Sequence, residues 1–290
     1  MPDTINSTAA QGCPYAAAAR AAAETAAPAV TVQHTDVAAP MLHVHETEDA
    51  PSTQAAPLFT LREVETKLTP DHPLVATTEW IRQFLARPHP DLGRPGPVCP
   101  FVPSAITQDK IWLSTVNLGP SDRPAMREVV TRYRDLFLDL EPKAGEASMW
   151  KAIVVVFPNV ATEEAVVIDE IQAELKPHFV EAGLMIGEFH ERNEGEGLRN
   201  PNFRPLRSPI PSVAIRFMVD SDLPFLQRMM YPPDLRATFL KSYLRRLSPT
   251  LTKSQFETAV NALVTAEIEL RTAPVALAGP AASSSMVSFA

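Results

Sequence analysis

Two segments of this 290-residue chain gather the side chains that can do chemistry. Residues 87–104 read RPHPDLGRPGPVCPFVPS and residues 190–211 read HERNEGEGLRNPNFRPLRSPIP. Neither shows a helical or strand period. A structureless loop of about 20 residues inside a compact domain is either functional or disordered. Phe203, Leu206 and Ile210 give the second segment apolar anchors and favour the first alternative. His190 opens that segment directly after the strand-like run Leu184–Phe189. If the strand geometry persists, Glu188 and His190 project from the same face, because side chains alternate with period two. A neutral imidazole at a strand end can ligate a metal or haem iron. The plainer reading of His190 is a partly exposed turn residue.

Cys99 lies in Val98-Cys99-Pro100-Phe101, where the proline turns the chain away and lets a thiolate face haem iron. The plainer alternative is a small core residue, and Cys13-Pro14 repeats the dipeptide near the N-terminus. Arg199, Arg204 and Arg207 cluster in the second segment, and Arg216 follows in a strand. Arg204 and Arg207, set among prolines and apolar anchors, suit bidentate capture of a carboxylate or propionate. Arg216 needs an anionic partner or an exit to water if its face is covered. Glu191, Glu194 and Glu196 offer competing partners within the loop. His43-x-His45, His72, His89 and His178 do not reproduce a structural-zinc spacing. Neither a phosphate-cradling glycine loop nor a G-x-S-x-G elbow is present.

The elements that must position these residues are legible from periodicity. Helices are predicted over 74–86, over 122–140 with Pro124 in the first turn, and from Thr162 to about Lys176, where Pro177 should stop it. Two more cover 234–247 and 252–270. Strands are predicted over 110–116, 152–157, 184–189 and 212–219. The second is apolar throughout, like a strand covered on both faces, and the last alternates. The order β-α-β-α-β-β followed by helices implies an α+β fold, a single domain with one mostly antiparallel sheet and helices packed on it.

Composition bounds the rest. Pro supplies 29 residues and Gly only 10, which excludes a Gly/Ser linker protein. A net charge of −8 argues against nonspecific nucleic-acid or anionic-membrane binding. Residues 1–56 are read as a disordered acidic, Ala-rich leader, 57–271 as the ordered domain, and 272–290 as a disordered tail. Two cysteines make no disulfide framework, and no apolar run approaches the length of a membrane span, so a cytoplasmic protein is expected.

The runs Gly96–Pro103 (GPVCPFVP), Gly183–His190 (GLMIGEFH) and Gly197–Pro209 (GLRNPNFRPLRSP) resemble a small actinobacterial-type haem-protein family found with natural-product gene clusters. That family is typified by the Nω-hydroxy-L-arginine synthase of D-cycloserine biosynthesis and was long catalogued as a domain of unknown function. The resemblance spans roughly residues 74–231. It implies a haem-dependent monooxygenase that uses protohaem (haem b) and dioxygen to hydroxylate a guanidine nitrogen of L-arginine in antibiotic biosynthesis. Electrons would come from NAD(P)H through a separate reductase. On this reading His190 is the axial iron ligand with Cys99 as competitor, and Arg204, Arg207 or Arg216 hold the propionates. Glu188, or the trio Glu191, Glu194 and Glu196, receives the guanidinium. A haem-binding sensor or carrier without turnover and a cofactor-free protein-binding module are the competing readings.

Overall fold

The computed structural model describes residues 56–272. The expectations for the leader and tail, and those for Cys13, His43 and His45, lie outside them. In chain order the elements are strand β1 (Phe59–Thr60), helices α1 (Leu61–Lys67), α2 (Pro73–Trp80) and α3 (Val102–Thr107), strand β2 (Ile111–Thr115), helix α4 (Arg123–Asp139), strand β3 (Ala152–Val156), helix α5 (Val166–Glu181), strands β4 (Leu184–Phe189) and β5 (Ser212–Phe217), and helices α6 (Leu223–Leu226), α7 (Pro233–Leu247) and α8 (Lys253–Thr272). The fold is α+β, as expected.

The strands form one sheet in the order β1-β2-β3-β5-β4, in which only β2 and β3 pair in parallel. The crossover through α5 leaves a gap one strand wide between β3 and β4, and β5 returns antiparallel to fill it. Because Phe189 pairs with Ser212, residues 190–211 are an excursion between two hydrogen-bonded neighbours that a two-residue turn would have joined. The alternation in β5 sorts two faces. Val213, Ile215 and Phe217 join Ile153, Val155, Leu184 and Ile186 beneath α4 and α5. On the other face α1, α2 and α3 cover β2 and β3 through Leu61, Val64, Leu74 and Ala105, joined by Ile81 just after α2.

Sequence and structure part at three places. The third helix does not stop at Pro177 but runs through it to Glu181. Phe179 and Val180 are fully buried, and anchoring the last turn outweighs the missing amide hydrogen bond. The predicted 74–86 helix changes at Ile81 into a π-helical turn, Ile81–Leu85, with Ala86 N donating to Ile81 O at 2.9 Å. Inside the first proline-rich segment, α3 begins at Val102 with Pro103 in its first turn. Among the described residues no helix is long and apolar enough to cross a membrane.

Candidate functional site

The two proline-rich segments, far apart in sequence, lie against each other. Val98 N donates to Arg87 O (2.8 Å) and Cys99 N to Leu85 O (2.9 Å), folding the first segment back onto the π-turn. Leu92 and Val98 of this segment pack with Phe203 of the second. Asn200 Nδ2 donates to Asp91 O at 2.8 Å. Gly93 has φ of 72°, and a Cβ there would meet the Arg199 backbone oxygen at 3.2 Å, so both the turn and the approach of the second segment require glycine. An aromatic ladder continues the contact: His89 to Phe203 (4.7 Å between centroids), Phe203 to Phe84 (6.1 Å), Phe84 to Trp80 (6.3 Å) and Trp80 to Phe189 (5.4 Å). Trp80 Nε1 donates to Arg207 O at 3.0 Å, tying the helix to the second segment.

The candidate side chains divide into three groups. The first lies on the α5 side of the sheet. His190 is buried, with Nε2 3.0 and 3.1 Å from the two carboxylate oxygens of Asp169. Its Nδ1 is buried without a hydrogen-bond partner. Glu188 shares this side, as alternation predicts. Burial pushes its carboxyl pKa up and the Asp169 charge adds to the rise, against the opposing pull of its own backbone N–H, Lys176 and Arg228. Asp169 was not singled out in the sequence. The signal for it was its place in the first turn of α5, on the helix that packs against β4.

The second group lies on the opposite face. The guanidinium of Arg216 makes a bidentate pair with the buried Asp222, at 2.7 and 2.6 Å, and its Cζ stands 5.6 Å from the Phe101 ring centroid. Burial alone would lower the Arg216 pKa. The Asp222 charge and hydrogen bonds, with the Cys99 side chain also contributing, more than offset this and hold it above its ordinary value. Asp222 thus supplies the anionic partner that Arg216 needs. Cys99 is half-buried beside it. The floor of this face is narrow in side-chain volume, because Gly187 pairs with Ala214 between the Met185–Arg216 and Phe189–Ser212 pairs. Gly187, Phe189, Ala214 and Arg216 are partly buried, and the Phe189 ring folds over Gly187, 3.3 Å from where a Cβ would stand, while Ala214 packs against the cluster beneath α1 to α3. The hydroxyls of Ser212 and of Thr78, on the buried face of α2, are buried without partners.

The third group is the loop arginines. Arg204 Nε and Arg207 share the carboxylate of Glu194, at 3.2 and 2.7 Å, and Arg207 also donates to Asn193 O. Glu194 is held below the usual carboxylate range by these hydrogen bonds, that to Arg204 foremost. Arg207, Glu194, Arg192, Glu191, Glu163 and Thr162 line an open cleft of about 510 Å³ with both signs of charge. The structure therefore does not gather His190, Glu188, Arg204, Arg207 and Arg216 into one pocket. His190 and Glu188 are separated from Arg216 by the thickness of the sheet.

Protohaem requires a free ligand atom, room for a flat apolar disc and partners for its carboxylates. His190 meets the first requirement, since a carboxylate on one nitrogen and a bare second nitrogen is how metal-binding imidazoles are held. It fails the second, because the ring is 3% exposed. Cys99 is half-buried with the Arg216 guanidinium beside it, and that guanidinium is already paired with Asp222. Among the described residues no three His, Cys, Asp or Glu side chains converge on a metal-only site. Haem iron brings its porphyrin nitrogens with it and needs only one such ligand.

No curated protein and no solved structure matches the chain. A family model described as a domain of unknown function, DUF6875, matches residues 74–258, from the start of α2 into α8. That span includes both proline-rich segments, all three groups of candidate residues and every strand but β1. Since it covers more than half of the chain, the protein belongs to the DUF6875 family.

Proposed function

We propose that this chain is a haem-dependent monooxygenase that hydroxylates a guanidine nitrogen of L-arginine to Nω-hydroxy-L-arginine in antibiotic biosynthesis of the D-cycloserine type. Its electrons come from NAD(P)H through a separate reductase. The activity and the substrate come from the motif resemblance. The observation that carries the site is the half-buried Cys99 thiol beside Arg216, one register step from the small, partly buried Gly187–Ala214 pair. In this reading Cys99 would hold the haem iron in preference to His190, and Arg216, keeping Asp222, would lie beside a propionate. Bound haem supplies oxygen activation, which a thiolate ligand favours through electron donation.

The protein's own residues do the rest. Trp80, Phe84 and Phe189 cover this face beside the Gly187–Ala214 pair and keep water from it. The cleft of mixed charge lies past the C-terminal ends of β3 and β4, whereas Arg216 pairs with Ala152 and Met185 at their starts, so Glu163, Glu191 and Arg192 are left out of the reacting set. His190 and Asp169 brace the start of the second segment from the α5 side. Glu188 stands behind the strand and is left out of the reacting set.

The test is the absorption spectrum of the purified protein with and without L-arginine. A Soret band that Cys99→Ala removes or shifts, and that His190→Ala leaves in position, supports the assignment. Arginine gaining one oxygen under aerobic, reducing conditions supports the activity. A colourless protein that takes up no added haem overturns the reading. A haem protein that leaves arginine unchanged points instead to a sensor or carrier.

A further inference from the structure

The C-terminal helix α8 is apolar on two opposite sides. At 100° per residue, Ala259, Ala262 and Ala266 face α7 and are buried or partly so. Val264 stands about 160° round the helix from Ala262 and Ala266. It is 50% exposed and Ile268 is 56% exposed. Val260 falls on the same outer stripe, one turn before Val264. Two charges end the stripe, Glu257 seven residues before Val264 and Arg271 seven residues after it. Both are exposed, and Glu257 has only a long ion pair, 3.8 Å, to Lys253.

This pattern is self-complementary about a single centre. If a second α8 lies antiparallel with Val264 against Val264, then Val260 meets Ile268 of the other copy, and Glu257 meets Arg271 at both ends. A parallel arrangement would instead oppose Glu257 to Glu257 and Arg271 to Arg271. We infer that α8 is a homodimerisation surface whose occupant is a second copy of this chain, packed antiparallel about Val264, with two symmetric Glu257–Arg271 pairs fixing the register.

Sedimentation velocity on the full chain, over a range of loading concentrations, tests the inference. The wild type should sediment as a dimer, and Val264→Asp should give a monomer with an unchanged far-ultraviolet spectrum. Glu257→Arg should weaken the dimer by about tenfold, as expected for two exposed ion pairs turned repulsive. The double variant Glu257→Arg/Arg271→Glu should restore it. A wild type that stays monomeric at every concentration overturns the inference, including one whose own residues 273–290 cover the stripe. So does a dimer that Val264→Asp leaves intact, and a charge swap that fails to rescue overturns the antiparallel register.

Discussion

The two faces of the sheet solve different problems. Beneath α4 and α5 the face is closed by fully buried Val, Ile and Phe side chains, and His190 and Glu188 meet Asp169 at its β4 edge. The opposite face is closed over β2 and β3 and thinner over β5 and β4, where the partly buried Gly187 and Ala214 pair between the buried Met185 and Ser212. A closed face can hold a polar group only if the protein itself supplies the partner, as Asp169 does for His190 Nε2. A thinner face can hold a charged group that keeps some contact with solvent, as Arg216 does at 28% exposure beside Asp222. The ligand candidates His190 and Cys99 lie on opposite faces, so single alanine variants of the two separate the faces by their effect on a haem spectrum.

The largest expected effect comes from breaking the ion pair of the thinner face. Asp222 is 1% exposed, pairs with both terminal nitrogens of Arg216 and accepts from Val219 N at 2.8 Å. Asp222→Ala strands a largely buried guanidinium and should cost about 3 kcal/mol in urea unfolding. Asp169→Ala breaks the pair of the other face. Its carboxylate is 41% exposed, so water can replace much of the interaction, and the loss should stay near 1 kcal/mol. Equal losses would show that the two faces are not as different in solvation as their burial indicates.

A smaller effect separates the loops from the sheet. Phe203 is the apolar residue by which the second segment reaches Leu92, Val98 and Phe84. Phe203→Ala should cost about 2 kcal/mol, somewhat below the usual range for a core phenylalanine because the site is a small cluster near the surface. Amide hydrogen exchange should quicken in both segments, 87–104 and 190–211, while β3 and β5 stay protected. Faster exchange in the second segment alone would show that the two are not held as one unit.

How much of this was legible follows from the physics of each element. β3 and β5 were readable because one is an apolar β-branched run and the other alternates, and both patterns are set by local burial. The pairing was not readable. Nothing within Ser212–Phe217 says that it inserts between β3 and β4, because that depends on which gap the α5 crossover leaves. Pro177 misled for the opposite reason: a strong local breaker lost to the burial of Phe179 and Val180. Among the site residues, the two proline-rich segments were found by their lack of period, but their mutual contact through Phe203, Leu92 and Val98 is tertiary. Asp169 and Asp222, which decide what His190 and Arg216 can do, look like ordinary helix-start carboxylates in sequence.

The closed face offers the finest test, through Lys151. Its side chain is fully buried, and Nζ donates to Phe137 O and Leu140 O, both at 2.7 Å, closing the C-terminus of α4. The Phe137 ring centroid lies 4.4 Å from Nζ. A cation at a helix C-terminus is favourable, but burial dominates and brings the Lys151 pKa down to about 8. The unfolded chain keeps an ordinary lysine value of about 10.4. Between these values the unfolded state binds more protons than the folded state, so Lys151 makes stability rise with pH from about 8 to about 10. Lys151→Met removes this titration while keeping most of the side-chain volume. Subtracting its urea stability profile from that of the wild type should leave a rise confined to that window and a flat difference below pH 7. A flat difference throughout would mean that water reaches the ammonium, and that the face beneath α4 is open at its end.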